Sequence, residues 1–181
     1  YQKKVYLEGG YAQVLNKLQK PLKKSASFWH FPKDEEMKDK AIYVTTWSYF
    51  ENWDSYRNYT IAKKYCGLHE KETHNTSTFT NFAQNDQALY SLHMYLCYLK
   101  FGFGRAFQDV GIEIRRGAMT RDQGKNLVKL YDGQYPDEFI DQYLDYYQMS
   151  LNEFNKVIDK WANKDLFKYE KGRWKPKFEI I

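Results

Sequence analysis

The amino-acid sequence predicts a mainly α-helical domain with a short β element. Apolar residues recur at three- and four-residue steps through most of the second half, which is typical of amphipathic helices. Two capping boxes, at residues 120–123 and 150–153, mark helix starts, because each places a Gln or Glu three residues after a Thr or Ser. Only residues 41–47 combine β-branched and aromatic side chains as a strand does. With 181 residues, the chain has the length of one domain.

The first third of the sequence predicts short helices, one strand and a loop. A weak helix is expected over residues 11–18, and one or two helical turns over residues 34–40 lead into the predicted strand. A further helix begins near Trp53 and runs to Gly67, which suits a left-handed C-terminal stop. The Thr- and Asn-rich residues 69–81 are expected to form a loop.

The remaining residues predict a helical bundle. Its helices are expected over residues 85–100, 105–114, 120–130, 136–147 and 151–161. Gly102 is expected to end the first of them, and Pro136 to stand at the first position of the fourth. The last helix has a predicted inner face of Leu151, Phe154, Val157, Ile158 and Trp161. The basic residues 166–181 are expected to be loop-like.

Charge and composition narrow the classes of function. A net charge of +5 is modest for a nucleic-acid module, so small anionic ligands are favoured and nucleic acid is disfavoured. Cys66 and Cys97 form no CxxC pair and lie at no recognised metal-ligand spacing, which predicts neither a disulfide framework nor a metal site. Because the sequence shows no membrane-length apolar run and no signal-peptide pattern, we expect a soluble, cytoplasmic protein.

The first candidate for chemistry is the run Lys-Phe-Gly-Phe-Gly-Arg at residues 100–105, here called the first hinge. Gly102 and Gly104 allow close backbone approach, while Lys100 and Arg105 supply positive charge, so the run predicts an anion-binding loop between two helices. The alternative is a helix C-cap followed by a tight turn, which is the more common role of a single Gly-x-Gly.

A second basic and glycine-containing run, residues 115–121, is here called the second hinge. It contains Arg115, Arg116, Gly117 and Arg121 and leads into the N-terminus of a predicted helix, where backbone donors attract negative charge. Either neighbouring arginine could instead be solvated or paired with a nearby carboxylate. Two such hinges around one short helix favour a phosphate-binding role for their cations.

Three further residues are weaker candidates. Asp86, at the predicted start of a long helix, is most simply a favourable N-terminal charge, and the alternative is a Mg²⁺ ligand or a substrate contact. Trp47 and Trp53 flank the end of the predicted strand and could stack on a sugar or base, although simple packing explains each of them singly. The histidines are scattered, and the sequence assigns no catalytic residue.

Taken together, these runs resemble the C-terminal half of the N-acetyl sugar amidotransferase family, which are PP-loop ATP pyrophosphatase-type enzymes of surface-polysaccharide and flagellin-sugar biosynthesis. The specific part is Lys-Phe-Gly-x-Gly-Arg followed by Ile-Arg-x-Gly and Thr-Arg-Asp-Gln. Flanking similarity includes Trp53-Asp54, Asp86 and residues 127–132 and 149–154, so the resemblance spans about residues 31–161.

The resemblance implies an amidine-forming reaction on a nucleotide-linked N-acetyl sugar, with ATP and Mg²⁺ as cofactors of the full-length enzyme and ammonia from a partner glutaminase. It implies that residues 1–50 end an α/β nucleotide-binding part, residues 51–165 form a helical substrate-side part and residues 166–181 a basic tail. The hinge cations would contact the nucleotide-sugar diphosphate or pyrophosphate. Lipopolysaccharide and pseudaminic or legionaminic acid-type sugars are the implied pathway class.

The chain also departs from that family. The Ser-Gly-Gly-x-Asp-Ser phosphate loop and the cysteine-rich zinc element do not occur in these residues, and Tyr1 is not an initiator Met. We therefore expect a C-terminal fragment that is inactive alone and holds no ATP itself. The alternative function is a non-enzymatic helical module that binds a protein or RNA through aromatic and basic surface. Oligomeric state stays open, although the surplus of Tyr and Trp favours an interface between copies.

Overall fold

A computed structural model describes residues 34–38, 40 and 45–180. The chain divides into two compact units, Tyr1–Asn52 and Trp53–Ile181. The predicted helix over residues 11–18 and residues 41–44 of the predicted strand lie outside the described residues.

Short helical turns make up the described part of the first unit. Helix α1 spans Asp34–Met37, as the sequence predicts, and a 3₁₀ turn spans Trp47–Tyr49. The prediction of a strand is therefore wrong for residues 46 and 47. The Thr46 carbonyl accepts a hydrogen bond from the Tyr49 amide, which closes a turn where the strand should continue. Trp47 is 70% exposed, and its indole donates to Glu51.

Most of the second unit is helical. Its helices are α2 (Ser55–Cys66), α3 (Ala88–Phe101), α4 (Arg105–Arg115), α5 (Arg121–Tyr131), α6 (Ile140–Tyr147) and α7 (Leu151–Trp161). A 3₁₀ turn, Asp137–Phe139, precedes α6, and two strands follow α7. The mainly helical fold with a short β element is confirmed. None of the described helices is long and apolar enough to cross a membrane.

Local signals set the helix ends. Asp54 caps α2 by accepting from two backbone amides, and both predicted capping boxes form, at Thr120 and at Ser150. Gly67 and Gly102 end α2 and α3 in the left-handed conformation. The start of α3 is three residues later than predicted, because the preceding segment bonds within the loop instead.

The core of the second unit lies between α3, α6, α7 and the two strands. Its buried members are Leu92, Tyr95, Tyr98, Leu99, Tyr143, Phe154, Ile158, Ala162 and Phe167. The predicted inner face of α7 is only partly right. Phe154 and Ile158 are buried, whereas Leu151, Val157 and Trp161 are exposed. A short helix packed on one side needs only a narrow apolar stripe.

The basic tail is not loop-like, which corrects the sequence prediction. Strands β1 (Phe167–Glu170) and β2 (Arg173–Pro176) pair as an antiparallel hairpin. Lys171 and Gly172, the two loop residues, both have positive φ, 51° and 80°, as a two-residue type I′ turn requires. Phe167 is buried in the core, so apolar contact holds the hairpin on the helices despite its basic charge.

Candidate functional site

A polar loop, residues 67–87, connects α2 to α3 and is held by buried side chains. Asn75 donates to the Ala83 carbonyl at 3.0 Å and to Asn85 at 2.8 Å. The amide and hydroxyl of Ser77 donate to the side chain and the carbonyl of Gln134. The Thr80 hydroxyl is the exception, because it is buried without a hydrogen-bond partner among the described residues. A loop tied by several buried hydrogen bonds has a defined shape, so it can form a wall of a binding site.

The first hinge binds an anion that belongs to the chain itself. The Gly104 amide donates to Asp132 Oδ2 at 2.7 Å, and the Ala106 amide donates to Asp132 Oδ1 at 3.0 Å. This carboxylate therefore caps α4, and burial raises its pKa to about 6 against the opposing effect of these hydrogen bonds. A Cβ on Gly104 would lie 2.6 Å from Asp132 Oδ1, so a glycine is needed here for close approach.

Arg105 points into the protein. It is 3% exposed, its guanidinium donates to the Ala83 carbonyl at 2.5 Å, and it stacks 4.9 Å from the Tyr90 ring. Asp109, one turn along α4, accepts from Thr78 at 2.5 Å, and burial raises the pKa of this carboxyl. Arg105 thus fastens the polar loop to α4, and the predicted phosphate contact by Gly104 and Arg105 is not supported, because both are already engaged.

The outer side of the first hinge is aromatic. Lys100 is exposed, with its ammonium 5.1 Å from the Phe101 ring, while Gly102 serves as the helix cap. Phe101 and Phe103 stack with ring centroids 6.0 Å apart, and Phe107 continues this exposed row. Of the four predicted site residues of this hinge, only Lys100 faces solvent with its side chain.

The second hinge is divided between a structural arginine and exposed ones. Arg116 pairs with Glu113, which is 4% exposed, and with Asp54 at 3.1 Å, so it ties the start of α2 to the end of α4. Glu113 also accepts from the Ser55 hydroxyl. These carboxylates hold the pKa of Arg116 above its ordinary value. The alternative considered for this residue, pairing with Glu113, is therefore correct.

Arg115 and Arg121 remain exposed at the ends of α4 and α5. Gly117 between them has φ 79° and open space around the position of a Cβ, so its role is the left-handed helix stop. The capping box of α5 already occupies part of the helix N-terminus. The two hinges lie at opposite ends of α4, which at 11 residues is about 16 Å long, so their cations do not converge on one point.

All three weaker candidates are exposed. Asp86 is exposed and lies before α3, outside the helix that it was predicted to start. Trp53 is 60% exposed at the beginning of the second unit, and Trp47 belongs to the first unit. Among the described residues, no three His, Cys, Asp or Glu side chains come close enough together to ligate a metal. The Gly104 and Ala106 amides of the first hinge are bonded to Asp132, so they are not open to the phosphates of ATP.

A feature that sequence reasoning missed is a trough beside the hairpin, here called the hairpin cleft. It consists of two adjoining cavities of about 630 and 470 Å³. The residues that line both cavities are Tyr95, Tyr135, Asp137, Arg173 and Trp174. The sequence signal for this cleft is the Lys171-Gly172 turn between aromatic residues, which is typical of a hairpin. The hairpin then supplies Arg173 and Trp174 to the cleft.

Arg173 lines both cavities of the hairpin cleft. Its guanidinium lies 4.2 Å from the Tyr135 ring centroid and bonds to Asp137 at 3.0 Å. The Trp174 indole donates to Asp159 at 2.9 Å. Tyr95 is 4% exposed, and burial raises the pKa of its phenol, with Arg173 and Asp159 among the charges that act on it. The Tyr95 hydroxyl makes no hydrogen bond to any residue that the structure describes.

Comparison with known families gives one match. The family model described as "LPS biosynthesis protein WbpG-like, C-terminal domain" matches residues 76–179. This range is more than half of the chain and includes both hinges and the hairpin. No curated protein matches the sequence.

Proposed function

Because this chain belongs to the WbpG-like family of LPS biosynthesis proteins and carries its C-terminal domain, we propose that it is the substrate-side part of an amidotransferase. The family match over residues 76–179 is the observation that carries this proposal, because it covers the same hinge residues that resemble the N-acetyl sugar amidotransferases. The substrate is a nucleotide-linked N-acetyl sugar used for a surface glycan.

In the proposed reaction the acetamido group of the sugar becomes an acetamidino group. Nitrogen from ammonia replaces the carbonyl oxygen, and a partner glutaminase supplies the ammonia in the cytoplasm. ATP would activate the oxygen as a leaving group, and residues outside those described would bind it. The described residues would contribute substrate binding and support.

The exposed arginines of the second hinge are the proposed contacts to the diphosphate. Arg115 and Arg121 are both exposed, and guanidinium groups bind phosphate oxygens in a bidentate way. Arg105 and Arg116 act as positioning residues, because their guanidinium groups are bonded to the polar loop and to α2. Lys100 lies in the last turn of α3, before the N-terminus of α4, and is not needed for the same diphosphate.

An isotope assay tests the proposed function. The full-length protein of this reading frame is incubated with ATP, ¹⁵N-labelled ammonium chloride and a panel of UDP-linked N-acetyl sugars, and products are identified by mass spectrometry. We expect ¹⁵N in an acetamidino product, formed only when ATP is present. Absence of ¹⁵N from every product, with the protein folded and ammonium in excess, contradicts the proposal and favours the non-enzymatic alternative.

A further inference from the structure

We propose that the hairpin cleft is a binding site for an uncharged saccharide. The proposal goes beyond the amidotransferase reaction and holds whether or not that reaction occurs. It is also separate in place: Gly133, just past the end of α5, lines the cleft, whereas Arg121 starts α5. The 11 residues of α5 put about 16 Å of helix between them, so the cleft and the second hinge lie at opposite ends of α5.

Charge argues for a neutral ligand. The cleft is lined by Asp137, Glu138, Asp141 and Asp159 and by the single guanidinium of Arg173. Arg173 pairs with Asp137 and Lys71 pairs with Glu138, which leaves Asp141 and Asp159 without an ion pair among the described residues. An anionic ligand would meet these two carboxylates, so a phosphate is disfavoured. A cationic ligand is disfavoured as well, because Arg173 already occupies the place between the Tyr135 ring and the Asp137 carboxylate.

The polar groups suit hydroxyl donors. Asp141 is exposed at the cleft, and its carboxylate makes no hydrogen bond to any residue in the described part of the chain. One oxygen of Asp159 accepts from Trp174, which leaves the other oxygen to accept a further bond. Saccharides offer several hydroxyl groups, each able to donate and accept.

The apolar groups supply a stacking platform. Tyr169, 58% exposed, stands edge-on to Trp174 with ring centroids 5.4 Å apart, and both line the smaller cavity. The C–H face of a pyranose ring packs on such aromatic surfaces, while its hydroxyls reach the surrounding carboxylates. The volumes of 630 and 470 Å³ lie within the range of ligand pockets. Aromatic surface with convergent hydrogen-bond acceptors is therefore matched to a sugar.

A titration by NMR tests the site in the 181-residue chain. The probes are N-acetylglucosamine as the uncharged saccharide, UDP as the anion and a short oligolysine peptide as the cation. The indole N–H signal of Trp174, assigned with Trp174→Phe, reports on the cleft, and that of Trp161 reports on surface away from it. We expect N-acetylglucosamine to shift the Trp174 signal with saturation and to leave the Trp161 signal in place.

Matched variants locate the binding. Tyr169→Leu and Asp141→Asn are each expected to weaken saccharide affinity about tenfold, because they remove stacking and a charged acceptor. Tyr146→Leu and Asp145→Asn change exposed residues of the same types on α6 that do not line the cleft, and should leave affinity unchanged.

No saturable shift with N-acetylglucosamine, equal weakening by the control variants, or a Trp174 shift only with UDP or oligolysine would overturn the saccharide site. Each of these results leaves the amidotransferase proposal standing, since that proposal is tested by ¹⁵N incorporation. Conversely, saccharide binding without any ¹⁵N incorporation would sink only the amidotransferase proposal.

Discussion

The two hinges have similar composition and opposite roles. In the first, Gly104 and Arg105 are buried, and the Asp132 carboxylate fills the space that an external anion would need. In the second, Gly117 has open space around it, and Arg115 faces solvent. A basic run with glycine therefore does not by itself show whether its amides and cations serve an external anion or a carboxylate of the same chain.

Burial explains the difference. The first hinge enters α4 beside the core, where unpaired amides would be costly, so the chain supplies an acceptor from the end of α5. The second hinge leaves α4 at the surface, where the amides of Arg116, Gly117 and Ala118 donate to carbonyls in the last turns of α4. The free energy of folding is accordingly concentrated in the first hinge, and exposed charge in the second.

The largest expected difference in the free energy of unfolding is between Arg105→Ala and Arg115→Ala. Arg105→Ala removes the bond to the Ala83 carbonyl and the stacking on Tyr90, and it leaves the buried Asp109 without a nearby cation. We expect a loss of about 3 kcal/mol in the free energy of unfolding, measured with urea. Arg115→Ala should change it by less than about 0.5 kcal/mol. Similar losses for the two variants would remove the contrast.

A smaller difference in the free energy of unfolding is expected between variants of the two helix caps, Asp132 and Thr120. Asp132→Ala leaves the Gly104 and Ala106 amides without their acceptor, so we expect a loss of about 2 kcal/mol at pH 7.5. Thr120→Ala removes the corresponding cap of α5 after the second hinge and should cost about 1 kcal/mol. Urea unfolding of both variants provides the comparison. A Thr120→Ala loss equal to or larger than that of Asp132→Ala would contradict it.

The smallest effect is a dependence on pH that only the first hinge should show. The pKa of Asp132 is raised from 3.8 to about 6, so the folded chain keeps a proton that the unfolded chain has released. Stability from this group is complete below about pH 4 and is lost as pH rises through about 6. Between pH 8 and pH 5 the wild type should gain about 1.4 kcal/mol relative to Asp132→Asn. A constant difference across this range would show that the pKa is not raised.

Much of the fold follows from the sequence because the signals are local. Both capping boxes and the glycine stops at Gly67 and Gly102 lie where the helices begin or end. The hairpin was missed because its charged residues suggested a solvated tail, whereas Phe167 anchors it in the core. That contact joins residues far apart in sequence, which no local pattern reports.

The site was harder to predict for the same reason. Lys100 and Arg115 are exposed, and their phosphate contact stays a prediction. Nothing in the run around Arg105 shows that Asp132, 28 residues from Gly104, supplies the anion of the first hinge. The hairpin cleft combines α3, the 3₁₀ turn before α6 and the strands. Its composition becomes visible only when these segments are folded together.

The central claim is that the second hinge contacts the anionic substrate while the first is structural. Its most direct test is calorimetric titration of UDP-N-acetylglucosamine into the full-length protein carrying Arg115→Ala, with Lys175→Ala on the exposed side of β2 as the charge-matched control. We predict about tenfold weaker binding for Arg115→Ala, with an unchanged unfolding midpoint and unchanged affinity for the control. Wild-type affinity in Arg115→Ala would contradict the claim.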